Sequence, residues 1–178
     1  MNVQRFLMRS CIMVLFAMCM AIATKAQDSR LVGMWQMVVN VDKATVTLGP
    51  AGKVFLPDGR LFGFYLNPSD FQNYSQYNFN PWLFGKYTIS SDSTYTEQIF
   101  LHEDPNYEGS LDFKFMVMNN HALVTQYVRK APDGSMQPFT ELWIKVAKGK
   151  DEEEKVLKRV KENWDNYVER AKRVFGRN

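Results

Sequence analysis

The sequence predicts an all-β fold: an antiparallel up-and-down β-barrel of about eight strands, with a C-terminal α-helix packed on its outside. Segments between residues 31 and 147 alternate apolar with polar residues, or are dense in β-branched and aromatic residues, which is typical of strands. Short turn sequences separate most of these segments, which favours hairpins between consecutive strands. No helical pattern occurs between Gln27 and Gly149, so the sequence lacks the crossover helices that parallel strands need.

The hydrophobic period predicts seven to nine strands. The turns at 57–59 and 132–134 both read Pro-Asp-Gly, a sequence that fixes φ and then tolerates positive φ. Closure into a barrel would remove the exposed sheet edges, and a two-sheet sandwich is the alternative. The predicted strands are 31–41, 60–66, 83–89, 93–101, 111–118, 121–129 and 138–147, with shorter pieces at 44–48 and 53–56. Alternate positions predicted to face inward are Leu83, Tyr87, Ile89, Leu111, Phe113, Phe115 and Val117.

The tail from residue 151 to 175 predicts one amphipathic helix. Asp151 is placed to cap its N-terminus, acidic residues follow at the positive end of the dipole, and Gly176 ends it. An apolar stripe at three- and four-residue spacing predicts packing on the outer wall of the barrel, with a membrane surface or a partner as alternatives. The stripe contains Val156, Leu157, Val160, Trp164, Tyr167, Val168, Ala171, Val174 and Phe175.

Residues 1–26 predict a removable signal peptide. Two arginines precede an apolar run, and the small residues Ala23 and Ala26 offer cleavage sites. The run is too short to span a bilayer as a stable helix, so no transmembrane anchor is expected. Cys19 follows Met18 rather than a small residue, which argues against a lipoprotein. The protein is therefore expected to be exported and to be periplasmic or extracellular.

Removal of the signal peptide changes what the composition implies. Both cysteines, Cys11 and Cys19, would leave with it, so the mature chain is expected to have no disulfide and no thiol chemistry. Three of the 22 basic residues fall in the same segment, which leaves 19 basic against 19 acidic residues. A near-neutral chain lacks the positive charge that nucleic-acid binding requires. The remaining chain suits one domain, with the barrel at 27–149 and the helix at 150–178.

The sequence offers few groups for catalysis or for metal binding. His102 and His121 are the only histidines, and neither has a histidine partner at the spacing of a metal site. Both are expected to be solvated loop residues. The sequence contains no nucleophile elbow, no glycine-rich phosphate loop and, after removal of the signal peptide, no cysteine nucleophile. We therefore expect no enzyme activity, no bound metal and no cofactor.

Two carboxylates and one loop are the candidate polar and aromatic binding features. Glu97 shares a strand face with Tyr95 and Ile99, so it points inward if they do, and would then anchor a ligand or pair with a basic residue. An outward-facing position is the alternative. Glu141 begins the last predicted strand. The loop 67–82 is aromatic and amide-rich, which suits a sugar, a peptide or the mouth of an apolar pocket, or a lid on the barrel. Its candidate binding residues are Tyr74, Tyr77 and Trp82.

Several short motifs occur in a recognisable order along the chain. They are L-V-G-M-W-Q at 31–36, P-D-G-R-L-F at 57–62, G-K-Y-T-I at 85–89, Y-T-E-Q-I at 95–99 and E-L-W-I-K-V at 141–146. Across roughly residues 31 to 147, the chain resembles secreted bacterial lipocalin-like (calycin-type) domains of unknown function. The resemblance implies a lipocalin-like barrel with a C-terminal helix and, inside it, a small apolar ligand. It also implies that Gly33 and Trp35 are structural and close the base of the barrel; we expect structural roles for Trp143 and Trp164 as well.

Two functions are consistent with these features. The first is a non-catalytic secreted binding protein for a small apolar or amphipathic ligand, with a pocket lined by Tyr87, Tyr95, Phe113 and Phe115. The second is an envelope module that binds protein or glycan through the aromatic loop 67–82. They differ in whether the inside or the outside of the barrel makes the contact.

Overall fold

The computed structural model describes residues 30–40, 47–66, 79–131, 133–146 and 150–177. Within these residues, eight antiparallel strands pair in sequence order and close into a barrel through β1 and β8. The predicted up-and-down barrel is confirmed, and the sandwich is excluded because the ladder closes on itself. The strands are β1 Gly33–Val39, β2 Thr47–Phe55, β3 Arg60–Tyr65, β4 Asn80–Ser91, β5 Thr94–His102, β6 Gly109–Met118, β7 Ala122–Lys130 and β8 Met136–Lys145.

β2 is one strand of nine residues, so the prediction of two short pieces around it was wrong. The Gly-Pro-Ala-Gly sequence at 49–52 interrupts the hydrophobic alternation, but the pairing tolerates it. Pro50 lies opposite the register shift between Gln36 and Val38 on β1, where its missing N–H interrupts no regular ladder. Gly52 lies under the ring of Phe64, where a side chain would collide with that ring.

The C-terminal tail forms two helices, α1 Lys150–Glu162 and α2 Trp164–Val174, rather than the single predicted one. The break is at Asn163, whose side-chain Nδ2 donates a hydrogen bond to the Arg159 carbonyl at 2.9 Å. The apolar stripe continues across the break, which is why its period predicted one helix. The helix begins at Lys150, so Asp151 lies in its first turn and does not cap it.

Both helices cover the outer face of one half of the barrel, as the stripe predicted. Val156, Val160, Trp164 and Ala171 are buried against outward side chains of the strands. The strand and loop residues in this outer cluster are Met34, Val54, Leu56, Phe62, Phe64, Leu66, Phe79, Phe84 and Leu101. The outward side chains of these strands therefore belong to the core as fully as their inward ones do.

A second apolar cluster fills the lower half of the barrel interior. We call this end the base; it carries the turns after β2, β4 and β6. Leu31 precedes β1 and is buried inside the barrel, where its carbonyl accepts a 2.8 Å hydrogen bond from Trp35 Nε1. The Tyr87 hydroxyl donates to the Leu56 carbonyl at 2.9 Å. The other members that fill this end are Phe55, Leu61, Phe115, Leu123 and Trp143.

Candidate functional site

The upper half of the barrel interior is hollow. A cavity of about 400 Å³ opens between the strand ends near Tyr65 and His102. Its apolar wall comes from alternate positions on β4, β5 and β6, where the period of two turns every second side chain inward. These wall residues are Leu83, Ile99, Leu111 and Phe113. A buried charged centre borders the cavity below, and a row of planar side chains borders it above.

Lys53 and Glu97 form the buried charged centre. Lys53 Nζ lies 2.9 and 3.2 Å from the two carboxylate oxygens of Glu97, and the residues are 6% and 1% exposed. The Tyr95 hydroxyl donates a further hydrogen bond to Glu97 at 3.1 Å. The ammonium also lies 5.2 Å from the ring centroids of Phe113 and Trp143. Burial of both charges is tolerated because each has an opposite charge and additional polar or aromatic partners.

Glu141 is the second carboxylate at this level of the barrel. It accepts hydrogen bonds from the Tyr127 hydroxyl at 2.9 Å, from Trp143 Nε1 at 3.1 Å and from the Thr125 hydroxyl at 3.3 Å. Alternation along β7 and β8 brings these four side chains to the same interior surface. The centre therefore contains one cation, which donates to Glu97, and two carboxylates, which accept from neighbouring donors.

The pKa shifts in this centre follow from burial and from the unequal charge count. Burial lowers the pKa of Lys53. The carboxylates of Glu97 and Glu141 raise it by more than burial lowers it, so the net shift is upward. Burial raises the pKa of Glu97, and Lys53 opposes that rise only in part. Burial also raises the pKa of the Tyr95 phenol well above 10.0, and the nearby Glu97 carboxylate adds to the shift. Lys53 therefore carries its charge at neutral pH, and Tyr95 remains a hydrogen-bond donor.

A continuous row of planar side chains, which we call the rim row, borders the mouth of the cavity. Tyr65 stacks on Trp82, and Trp82 meets the edge of His102 with ring centroids 5.4 Å apart. His102 stacks on Tyr107 at 4.6 Å, and the guanidinium carbon of Arg129 lies 3.1 Å from the centroid of Tyr107. The row crosses from β3 to β7 and places aromatic faces and one cation at the entrance of the cavity.

His102 was predicted to be a solvated loop residue, and that prediction was wrong. It ends β5 and is only 5% exposed. A register shift near Phe100 reverses the alternation, so that Leu101 joins the outer cluster and His102 turns toward the cavity. Burial lowers the pKa of His102, and its Nδ1 accepts a 2.9 Å hydrogen bond from the backbone N–H of Asp104. His102 is therefore neutral at pH 7. His121 lies in an exposed turn, as expected.

The structure distributes the predicted binding residues over different parts of the barrel. Glu97, Phe113 and Trp82 border the cavity. Tyr87 and Phe115 pack in the filled base, and Tyr95 lies below the cavity beside Glu97. Tyr74 and Tyr77 lie outside the described residues, as does most of the loop 67–82, so a glycan- or protein-binding role for that loop stays a prediction.

The predicted structural residues all lie at packed positions. Gly33 has φ +143°, and a side chain there would collide with Lys145 and Glu153, which pair at 2.9 Å where α1 approaches β1. The indole rings of Trp35 and Trp143 are buried inside the barrel. Trp164 is 9% exposed and meets Phe84 edge to face on the outer wall, with ring centroids 5.3 Å apart.

Sequence reasoning missed several residues that border the cavity. Most of them share one signal, which is a position that alternation along the strand turns toward the interior; the others lie in a loop next to a strand end. Alternation from Phe55 would have placed Lys53 inside, and alternation from Leu123 would have placed Tyr127 and Arg129 inside. Tyr107 follows β5 in a 3-10 helix, Pro105–Tyr107, which no strand pattern marks. The missed residues include Lys53, His102, Tyr107, Tyr127 and Arg129.

Sequence comparison places the barrel in a family. Residues 30–155 match the family described as domain of unknown function DUF4488. The chain belongs to this family. No curated protein sequence matches the chain. The DUF4488 domain is similar to bovine odorant binding protein in complex with undecanal, at 21% identity and a TM-score of 0.38, over 79% of this chain and 87% of that chain. It is also similar to a deswapped triple mutant of bovine odorant binding protein, at 23% identity and a TM-score of 0.36, over 78% and 87%.

Two further observations concern the described residues of this DUF4488 chain. Over that part of the chain, no helix has both the length and the apolar character needed to cross a membrane. In the same residues, no three histidine, cysteine, aspartate or glutamate side chains are grouped so that they could hold a metal ion. Residues 1–26, where the signal peptide is predicted, lie outside the described residues.

Proposed function

We propose that the protein is a non-catalytic exported binding protein that holds one small amphipathic molecule in the upper cavity. The observation that carries the proposal is the division of the interior into a filled base and a hollow upper half. The cavity of about 400 Å³ lies in the lower part of the range of small-molecule sites, about 300–1,000 Å³. An apolar wall with a few convergent polar groups is the usual composition of such sites. The predicted signal peptide supports export.

The geometry favours a ligand whose apolar body faces the wall and whose polar end faces the charged centre. Leu83, Ile99 and Leu111 would contact the body, and Phe113 would add an aromatic contact. Tyr127 also borders the cavity; its hydroxyl donates to Glu141, and its oxygen can still accept a hydrogen bond from the ligand.

The charges around the cavity favour a neutral or cationic ligand over an anionic one. Lys53 is neutralised by Glu97, with Glu141 also nearby. The cavity is bordered by two cations, Lys53 and Arg129, against four carboxylates on Glu97, Glu103, Asp104 and Glu141. An anionic head group would need the Lys53 ammonium, which already has a bidentate partner, and would face the excess negative charge.

The same hydrogen bonds support a binding role rather than catalysis. Each buried carboxylate accepts from protein donors, and the tyrosine hydroxyls are committed to those carboxylates. A general acid or base must reach its substrate directly, and these groups are bonded to each other instead. We therefore propose that the charged centre positions a ligand and fixes the barrel interior.

Binding of two related dyes tests the proposal. N-phenyl-1-naphthylamine is neutral, and 1-anilinonaphthalene-8-sulfonate carries the same two ring systems with a negative charge. We expect the neutral dye to bind about tenfold more tightly, with a stoichiometry of one. Leu111→Trp fills the cavity and should abolish binding, whereas Met116→Trp, an outward substitution on the same strand, should not. Unchanged binding in Leu111→Trp would refute the cavity as the site.

Native mass spectrometry of protein purified from its own host adds an independent test. A retained small molecule of constant mass is expected in the wild-type protein, and none is expected in Leu111→Trp. The same retained mass in both proteins would place the molecule outside the cavity.

A further inference from the structure

The barrel wall is incomplete between β6 and β7. The register pairs of these strands run from Met118↔Ala122 to Phe113↔Tyr127 and end there. β6 nevertheless continues to pair with β5 as far as Gly109, and β7 continues to pair with β8 as far as Lys130. Within the described residues, 109–112 and 128–130 therefore have no register partner across this gap. We call the gap the seam; it lies at the upper end of the barrel, beside the cavity.

A groove of about 830 Å³ occupies the seam. Outward residues of both strands border it, such as Asp112 on β6 and Val128 on β7. Interior residues border it too, and Leu111, Phe113 and Tyr127 border both the groove and the cavity. The groove and the cavity are therefore neighbouring spaces, with these three side chains between them.

Side chains rather than a backbone ladder hold the two edges together above the seam. Arg129, on β7, places its guanidinium carbon 3.1 Å from the ring centroid of Tyr107, in the connection between β5 and β6. This contact is a single cation–π interaction, whereas a ladder would contribute several cooperative hydrogen bonds. Rotation of two side chains would thus widen the seam without breaking any strand pairing.

A row of aromatic rings leads from the surface through the seam to the interior. Phe139 is 38% exposed and stacks on Tyr127, with ring centroids 5.2 Å apart. Tyr127 packs on Phe113 at 4.8 Å, and Phe113 stacks on Tyr95 at 4.9 Å. An apolar, ring-containing molecule can exchange one ring contact for the next along this row, so it remains partly desolvated on its way inward.

We propose that the seam is a lateral entrance, distinct from the mouth between the strand ends, through which a neutral or cationic, ring-containing molecule reaches the cavity. This inference rests on the proposed function, because it concerns the route to the cavity rather than the site itself. The Arg129–Tyr107 contact is the latch of the entrance, and Phe139 is the first ring that an arriving molecule meets.

Crosslinking the seam tests the route. Asp112 and Val128 are the next pair beyond the last register pair, and both are partly or fully exposed. Asp112→Cys/Val128→Cys would close the seam on oxidation, or with a short bismaleimide if the thiols lie too far apart for a disulfide. The matched control is Lys114→Cys/Gln126→Cys, an outward pair that is already in register. Both variants are purified as exported protein, and mass spectrometry verifies the crosslink.

Stopped-flow fluorescence with N-phenyl-1-naphthylamine gives the rates. Closing the seam at Asp112 and Val128 should slow both association and dissociation about tenfold and leave the Kd within about twofold, because a route changes rates and not the equilibrium. Reduction of the disulfide should restore the rates, and the control pair should leave them unchanged. Arg129→Gln, which removes the latch cation, should accelerate association.

The outcomes separate the entrance from the cavity. Equilibrium titration of the wild-type protein and of Leu111→Trp reports on the cavity, and only the rates report on the seam. Normal affinity with unchanged rates in the crosslinked protein would refute the lateral entrance and leave the cavity in place. Absence of dye binding to the wild-type protein would refute the cavity and, with it, the entrance that serves it.

Discussion

Replacement of Lys53 by Met isolates the cost of the buried charged centre. Methionine fills nearly the same volume as the lysine side chain, so the packing term is small. The change leaves the Glu97 carboxylate 1% exposed with its cation removed and with Glu141 nearby. Removal of one partner of a buried ion pair typically costs about 3–5 kcal/mol, because the remaining charge is uncompensated. We expect Lys53→Met to lower the free energy of unfolding by this amount at pH 8.

The sign of the pH dependence follows from Glu97. Its folded pKa already lies above the ordinary value of 4.5, and loss of the Lys53 charge raises it further. A carboxyl with a raised folded pKa favours folding while it is protonated, and this contribution is lost as the pH rises through the folded pKa. The deficit of Lys53→Met relative to wild type should therefore be small near pH 4.5 and grow toward pH 8.

Urea unfolding followed by tryptophan fluorescence measures these differences, with Trp35 and Trp143 inside the barrel as reporters. Lys53→Met/Glu97→Gln should recover most of the lost free energy, since the amide stays hydrogen-bonded without a charge. Lys86→Met is the matched control, because Lys86 is exposed on β4, and should change stability by less than about 0.5 kcal/mol. A deficit that is equal in both single variants, or independent of pH, would refute the reasoning.

Three further predictions concern the packing and the titration of the barrel. Trp164→Ala should cost about 3–5 kcal/mol in chemical unfolding, because the ring is buried under the helices; an unchanged midpoint would contradict helix docking. Tyr95→Phe should be less stable than wild type at pH 8, but the difference should shrink above pH 10. There the phenol ionises in the unfolded wild-type chain and stays protonated in the folded one, which lowers the stability of the wild type. A constant difference from pH 8 to 11 would contradict the raised pKa. Gly33→Ala should lower the melting temperature, because its φ would be strained and its methyl group would displace the Lys145–Glu153 pair. A melting temperature equal to that of the wild type would contradict this close contact between α1 and β1.

The strand period predicted which residues face inward, but not how deep along the barrel they lie. Phe113, Phe115 and Glu97 are all interior, as alternation required. Phe115 nevertheless fills the base, while Phe113 borders the cavity two residues earlier on the same strand. Depth depends on the stagger between neighbouring strands, and no single strand's sequence encodes that stagger. The predicted pocket therefore mixed core residues with cavity residues.

Irregularities in the strands account for the missed members of the site. Glycine and proline at 49–52 hid the continuity of β2 and with it the inward position of Lys53. The register shift near Phe100 reversed the alternation before His102, so a simple period of two assigned that end of β5 wrongly. Both features depend on the partner strand, since a bulge is defined by pairing and not by local composition.

The two halves of the barrel wall are covered to different degrees, and the less covered part lies beside the cavity. Parts of strands β1 to β4 are covered outside by α1 and α2, so outward residues such as Met34, Val54 and Phe62 are buried as well as inward ones. On β6, β7 and β8 the outward residues include Met116, Val128 and Met136, which are exposed. A strand that buries only one face opens at lower free energy than one that buries both. The helices thus cover the half that carries Lys53, and the seam lies in the half whose outward side chains are exposed.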